Sequence, residues 1–154
     1  MLDIEVRRAN VDDAGVVAEV WLRSRHAALG HIPRAVHSDA DVREWISTRV
    51  LAENECWVAH THEGQIVAVL VLDGSWIDQL YVLPEFQRSG VGSTLIDLAK
   101  RRSPELLQLW TFETNAPAQL FYERHGFSAV ERTDGKRNEE QAPDVRYVFS
   151  RRVT

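Results

Sequence analysis

The amino-acid sequence predicts a mixed α/β (α+β) layer fold around one sheet, with elements in the order β-α-α-β-β-β-α-β-α-β-β. Three observations carry that expectation. Short apolar runs of strand length alternate with stretches of helical period. Turn signals such as Asp73-Gly74 separate neighbouring strands. The 154 residues, 44% hydrophobic and 27% charged, suit one ordinary domain over 1–154, and no repeat or low-complexity run marks a boundary.

Ile4 and Val6 alternate with charged neighbours, which predicts a first strand ending at Arg7 or Arg8. Asn10 before Val11-Asp12-Asp13 reads as a helix cap with acids in the first turn. Val16, Val17, Val20, Trp21 and Leu29 form the apolar stripe of that helix, which is expected to run to about Gly30. Ser38-Asp39-Ala40-Asp41 predicts a second cap, opening a helix through Val42, Trp45, Ile46 and Val50. Three strands are expected next: from Cys56 to Ala59, then past a polar tip at His60 to Gln65, from Ile66 to Leu72, and from Trp76 to Leu83, where Pro84 ends the run. The stretch from Gly90 to Arg102 predicts a helix, and that from Leu106 to Phe112 a strand. A short helix from Ala116 to Arg124 is closed by Gly126, and two last strands run from Phe127 to Glu131 and from Val145 to Ser150.

Composition excludes several roles. Cys56 is the one cysteine, so neither an internal disulfide nor a metal site of paired thiolates can form, and beside Trp57 it reads as a small buried apolar group. His60-Thr61-His62 lacks a nearby third ligand and reads as an exposed hairpin tip, so no metal is expected. Eighteen basic against twenty-three acidic side chains give a net charge of −5. That argues against nucleic acid as a partner and fits a cationic or neutral small substrate. The apolar run from Ile66 to Leu72 is far short of a membrane span, and Met1-Leu2-Asp3-Ile4-Glu5 has no basic stretch leading into an apolar core. A cytoplasmic protein with no membrane partner is expected.

The informative segment runs from Leu80 to Leu95, where a strand enters a polar loop and two glycines stand where a helix begins. Free N–H groups at a helix start suit a phosphate, and glycine lets it approach. The alternative is a strand-to-helix turn that uses glycine for steric reasons alone. Neither well-known phosphate motif is present. Ser93 stands where the P-loop needs lysine, and Leu95 where the dinucleotide fingerprint needs its third glycine.

The run Gln87-Arg88-Ser89-Gly90-Val91-Gly92 does match the pattern Q/R-x-x-G-x-G/A, and here the sequence resembles the GNAT family of N-acetyltransferases, which use acetyl-coenzyme A. The segment Leu80-Tyr81-Val82-Leu83-Pro84-Glu85-Phe86 is similar to the family's fourth strand and its exit. Asn115-Ala116-Pro117-Ala118-Gln119-Leu120-Phe121-Tyr122-Glu123-Arg124-His125-Gly126-Phe127 is similar to its second hallmark, an asparagine opening a helix that ends in F-Y-E-x-x-G-F. The resemblance implies a mostly antiparallel sheet of about seven strands flanked by four helices. It also implies direct transfer of an acetyl group from acetyl-coenzyme A to a primary amine of a small molecule or peptide. A non-catalytic acyl-coenzyme A-binding sensor or partner module of the same fold is the alternative. Homodimers are frequent in the family.

By the same resemblance, Gln87, Arg88, Ser89, Gly90, Val91, Gly92 and Ser93 hold the pyrophosphate, largely through backbone amides. Leu80 and Val82 pair with the pantetheine arm, Asn115 hydrogen-bonds it, and the Val82 amide polarises the thioester carbonyl. Tyr122 matches the position that supplies a proton to the leaving thiolate; its alternative is packing on the sheet. For the base, Asp78 shares a strand face with Leu80 and Val82, because strand side chains repeat every second residue. Glu113, just beyond the fifth strand, is the rival, and either carboxylate can equally be solvated. His26 and His31 flank the acceptor side, and His125 sits at a helix stop, where a cation suits the dipole. Trp21, Trp76 and Trp110 are candidates for an apolar substrate wall. Glu139, Glu140 and Asp144, in the polar stretch Thr133 to Asp144, would attract a cationic amine, unless the loop is simply solvated.

Overall fold

The computed structural model describes residues 3–151. They form one seven-stranded sheet in the order β1-β2-β3-β4-β5-β7-β6. Strands β1 (Ile4–Arg8), β2 (Glu55–Thr61), β3 (Ile66–Asp73) and β4 (Trp76–Val82) pair antiparallel in sequence order. Strands β5 (Leu106–Phe112), β7 (Asp144–Ser150) and β6 (Ser128–Thr133) form the other half, also antiparallel. The two halves meet between β4 and β5 in a parallel contact with a single registered pair, Trp76 opposite Gln108. Four helices complete the predicted order: α1 (Ala14–Ala27), α2 (Asp39–Trp45, continued by Ile46–Val50 and Leu51–Glu53), α3 (Val91–Arg102) and α4 (Ala116–Arg124).

Local chemistry explains the helix starts. The Asn10 side chain accepts from Asp12 N, and Asp13 reaches back to Asn10 N at 2.8 Å, a reciprocal cap on the turn that leads into α1. Arg7 grips the same Asp13 carboxylate at 2.8 and 2.9 Å, holding it below the usual carboxylate range and tying β1 to the helix. Ser38 caps α2 through Asp41 N at 3.1 Å. One feature of α2 was not anticipated. Its middle, Ile46–Val50, is a π-helix, where the Ser47 and Thr48 hydroxyls both take the Glu44 carbonyl, at 3.0 and 2.7 Å, and loosen the ordinary ladder.

Every residue of β3 from Ile66 to Leu72 is buried, since α1 and α3 both pack against this strand. Two expected core residues face outward instead. Val16 and Leu29 are 45% and 46% exposed, because the buried stripe of α1 runs through Val17, Val20, Trp21 and Ser24 and the helix ends at Ala27. Strand β2 extends through His60 and Thr61, shortening the expected polar tip, and β6 starts one residue later than expected and runs on to Thr133. Among the described residues no helix is long and apolar enough to cross a membrane.

Candidate active site

The parting of β4 from β5 creates the site. On β4, Val71 pairs with Gln79 but Leu72 pairs with Ile77, so Asp78 is an extra residue, a β-bulge that bends the strand away from β5. The hydrogen-bond phase of β4 follows from one bond, Leu83 N to Val67 O at 2.9 Å. In an antiparallel ladder alternate residues bond to the partner, so Tyr81 and Gln79 face β3 through their peptide groups, whereas Leu80 and Val82 aim theirs into the gap. The Val82 carbonyl is already taken, by Ser24 Oγ and Gln87 Nε2 at 3.2 Å each. Its N–H is left for a ligand.

Beyond β4 a turn at Pro84–Phe86 leads to the start of α3. Arg88 (φ 64) and Gly90 (φ 90) both adopt left-handed backbone there, and Ser89 Oγ donates to Phe86 O. The first helical bond is Thr94 N to Gly90 O at 3.0 Å, which leaves the N–H groups of Val91, Gly92 and Ser93 without helical partners. The two glycines divide their tasks. A β-carbon at Gly90 would meet nothing within 4 Å, so its glycine character serves the left-handed turn. At Gly92 a β-carbon would stand 3.1 Å from the Phe121 ring, so this glycine also lets α3 approach α4. Gln87, Arg88, Gly90, Gly92 and Ser93 line the cleft, and the Ser89 and Val91 side chains do not.

Asn115 caps α4 through Ala118 N at 3.3 Å and lines the cleft, where its amide N–H groups remain available. Tyr122 is 8% exposed, between Phe121, Phe127 and Tyr147. Its hydroxyl has no protein partner among the described residues, where no side-chain polar atom is both buried and unpaired, so it opens into the cleft. Burial, with Tyr81 adding to it, pushes its pKa well above the usual tyrosine range. The proton stays on the oxygen at neutral pH.

Asp78 also lines the cleft, but the bulge interrupts the alternation by which it was expected to share a face with Leu80 and Val82. Although open to the cleft, its carboxyl is crowded by surrounding protein; that desolvation, with Asp73 nearby, raises its pKa. Glu113 is absent from the lining. Its backbone is pinned by Glu113 N to Pro143 O at 2.9 Å and by Gln119 Nε2 to Glu113 O at 2.8 Å, and its side chain is exposed outside the cleft.

Of the three loop carboxylates, Glu140 lines the cleft without a hydrogen bond or ion pair among the described residues. Glu139 pairs with His37 at 3.2 Å, and Asp144 is held by Thr133 Oγ1 and Asn138 Nδ2. His31 lines the cleft, and His26 lies 3.7 Å from Asp39. His125 differs from the expected cation: desolvation and the neighbouring Lys100 lower its pKa, and its Nε2 lies 3.1 Å from Ser93 Oγ. Trp21 is core, edge-on to Trp45 and tilted against Tyr81, whereas Trp110 is 41% exposed on the cleft wall and Trp76 is not in the lining. Burial pushes the Cys56 thiol up to about 12, which removes it as a nucleophile. No group of three metal-ligating side chains occurs among the described residues.

Sequence reasoning missed the cluster of Arg25, Gln79 and Tyr81. Tyr81 Oη donates to Gln79 Oε1 at 2.7 Å and accepts from Arg25 Nη1 at 3.4 Å. A signal was present: Arg25 lies one turn beyond the buried Trp21, on the helix edge that faces β4.

A split sheet with a helix start at one end of the gap and a buried tyrosine in its wall is the architecture that the resemblance to the GNAT acetyltransferases implies. The family model of the GNAT acetyltransferase domain matches residues 52–129, and the chain belongs to that family. The peptidyl-lysine N-acetyltransferase YjaB of Salmonella typhimurium is 28% identical over 131 residues, 85% of this chain and 88% of that one. The solution structure of apo YjaB from Escherichia coli superposes with a TM-score of 0.79 at 24% identity, over 96% of this chain and 98% of that one. The PaiA N-acetyltransferase of Thermoplasma acidophilum, in complex with coenzyme A, gives a TM-score of 0.72 at 19% identity, over 97% and 99% of the two chains.

Proposed function

We propose that this protein, as one domain over 1–154, transfers an acetyl group from acetyl-coenzyme A directly to a primary amine of a small molecule or peptide. The observation that carries the reading is the gap at β4, with the Leu80 and Val82 N–H groups facing it and the Tyr122 hydroxyl opening onto the same cleft. The residues present fit the coenzyme. Three unpaired N–H groups at the start of α3, beside Arg88, suit a pyrophosphate. The outward peptide groups of Leu80 and the Val82 N–H, with the Asn115 amide, suit an extended arm bearing amides. The coenzyme supplies the acetyl group as a thioester.

The chain's own groups supply the rest. Val82 N–H hydrogen-bonds the oxygen that gains negative charge in the gap. Asp78 takes one proton from the acceptor ammonium; as the N–C bond forms and the C–S bond breaks, Tyr122 Oη gives a proton to the departing sulfur, and the second proton shed by the nitrogen returns through water to the Tyr122 oxygen. Glu140 shares the cleft with Asp78, which favours a cationic acceptor, and the peptidyl-lysine activity named for YjaB is in keeping with one. The test is thiol release from acetyl-coenzyme A across small amines and lysyl peptides. Saturable coenzyme binding without amine-dependent release would identify a binding module instead.

Three variants have expected outcomes here. Gly90→Ala strains the left-handed turn without a clash, at about 1 kcal/mol, so calorimetry should show coenzyme A binding weakened several-fold or more in a folded protein. Unchanged affinity would remove this loop from the coenzyme site. Gly92→Val should weaken binding by about tenfold or more, but its contact with Phe121 mixes packing into the result. As a base Asp78 must be ionised, so activity rises with pH through its pKa. Because that pKa is raised, the acid limb of kcat/KM should lie above the ordinary aspartate range. Asp78→Asn should abolish the limb and lower kcat by roughly 10²-fold; a limb that survives the substitution assigns the base elsewhere.

A further inference from the structure

We propose that the acceptor end of the cleft selects amines that also carry a carboxylate, with the Arg25 guanidinium receiving that carboxylate. The inference rests on the acetyl-transfer reading and adds the class of acceptor.

Elsewhere in the molecule, arginines beside carboxylates pair with them: Arg7 with Asp13, Arg23 with Glu85, Arg102 with Glu55, Arg146 with Glu131. Arg25 does not. It is half-buried in the last turn of α1, lines the cleft, and makes one long hydrogen bond, Nη1 to Tyr81 Oη at 3.4 Å. It lines the cleft and has no ion pair among the described residues, so most of its five N–H donors have no protein acceptor there. Two carboxylates, Asp78 and Glu140, line the same cleft as Arg25 and Tyr81. Asp78 comes from the β4 bulge and Glu140 from the β6–β7 connection, and neither is ion-paired with Arg25.

Charges of both signs therefore share one cleft without pairing with each other. A simple alkyl ammonium would answer the carboxylates and be repelled by Arg25. A ligand with an ammonium and a carboxylate answers both. Arg137 lines the same cleft and adds to the pull on an anion, whereas Lys136 lies 3.8 Å from Asp134. Planar guanidinium favours carboxylate in a two-pronged bond, and hydrogen bonds to charged groups contribute enough to change affinity by roughly 10–100-fold. The carboxylate has two available sources: the α-carboxylate of a free diamino acid, or an aspartate or glutamate beside a lysine in a peptide.

The experiment pairs each acceptor with its amide: L-lysine with L-lysinamide, and end-blocked lysyl peptides flanked by glutamate with the same peptides flanked by glutamine. Calorimetry of each acceptor into the coenzyme A-bound protein gives binding, and thiol release gives kcat and KM. The carboxylate-bearing member of at least one pair should bind and react roughly 10–100-fold better, mainly through KM, and the pair that responds names the source. Arg25→Gln should bring that ratio close to one, and Arg25→Lys should restore part of it, with melting curves showing both variants folded. Equal use of both members of every pair by the unaltered protein overturns the proposal and leaves acetyl transfer standing. No thiol release with any acceptor overturns both.

Discussion

Tyr122→Phe is expected to lower turnover by roughly 10²–10⁴-fold while coenzyme A affinity stays within about twofold. The substitution removes one oxygen and keeps the ring, whose contacts are with Phe121, Phe127 and Tyr147 at centroid distances of 5.3, 5.6 and 6.4 Å. The hydroxyl has no protein partner among the described residues, so its loss breaks no internal hydrogen bond and stability should hardly change. Burial favours the neutral form, so the group is a proton donor throughout the neutral range and adds no limb of its own to the pH profile there. Tyr147 gives the contrast. Its hydroxyl donates to Glu123 Oε2 at 2.7 Å, and burial with that carboxylate pushes its pKa up to about 12. Tyr147→Phe should therefore cost about 1 kcal/mol of stability and little rate. A Tyr122→Phe enzyme that turns over at the native rate would assign this tyrosine to packing, and the proton to water.

The elements of this fold were legible because their signals are local. The caps at Asn10 and Ser38, the Asp73-Gly74 hairpin and the uninterrupted apolar β3 each depend on residues a few positions apart. The glycine loop and the Asn115 helix were legible for the same reason. What escaped depends on register and on distant partners. Alternation predicts a face for Asp78 only while the strand is regular, and the bulge lies at that residue. Glu113 is near β5 in sequence but is turned out of the cleft by backbone bonds to Pro143 and Gln119. The second role of Gly92 needs Phe121, and the lowered pKa of His125 comes from burial and then from Lys100; these surroundings belong to other elements. Arg25 lies 56 positions from Tyr81, so no local pattern joins them.

Gly135→Ala is expected to be among the most damaging single substitutions for stability, and the acceptor end of the cleft should feel it. Gly135 is buried with φ +82, and a β-carbon there would stand 2.2 Å from the backbone carbon and oxygen of Ala142. Backbone cannot rotate away as a side chain would. The left-handed conformation alone costs an alanine about 1–2 kcal/mol, and the overlap adds roughly 1–3 kcal/mol. A limit is set by how firmly the β6–β7 connection is held, since opening it relieves the clash. Its ties are the Asp144–Thr133 contact, Gly135 N to Thr133 Oγ1 at 3.1 Å, and the exchange between Asn138 and Ala142 at 2.7 and 3.2 Å. Breaking several of these costs as much as the clash itself, so either route destabilises the native loop. At about 2–4 °C per kcal/mol for a chain of this size, Tm should fall by roughly 5–15 °C. Gly64→Ala separates the two contributions: it has φ +93 but nothing within 4 Å, so only the conformational part, roughly 2–8 °C, should appear. The displaced connection carries Lys136, Asn138 and Glu140 into the cleft, so acceptor KM should also rise while coenzyme A affinity, set at the α3 end, stays unchanged. Equal Tm losses in the two variants would mean that the approach of Ala142 adds nothing, and that the left-handed turn alone makes position 135 a glycine.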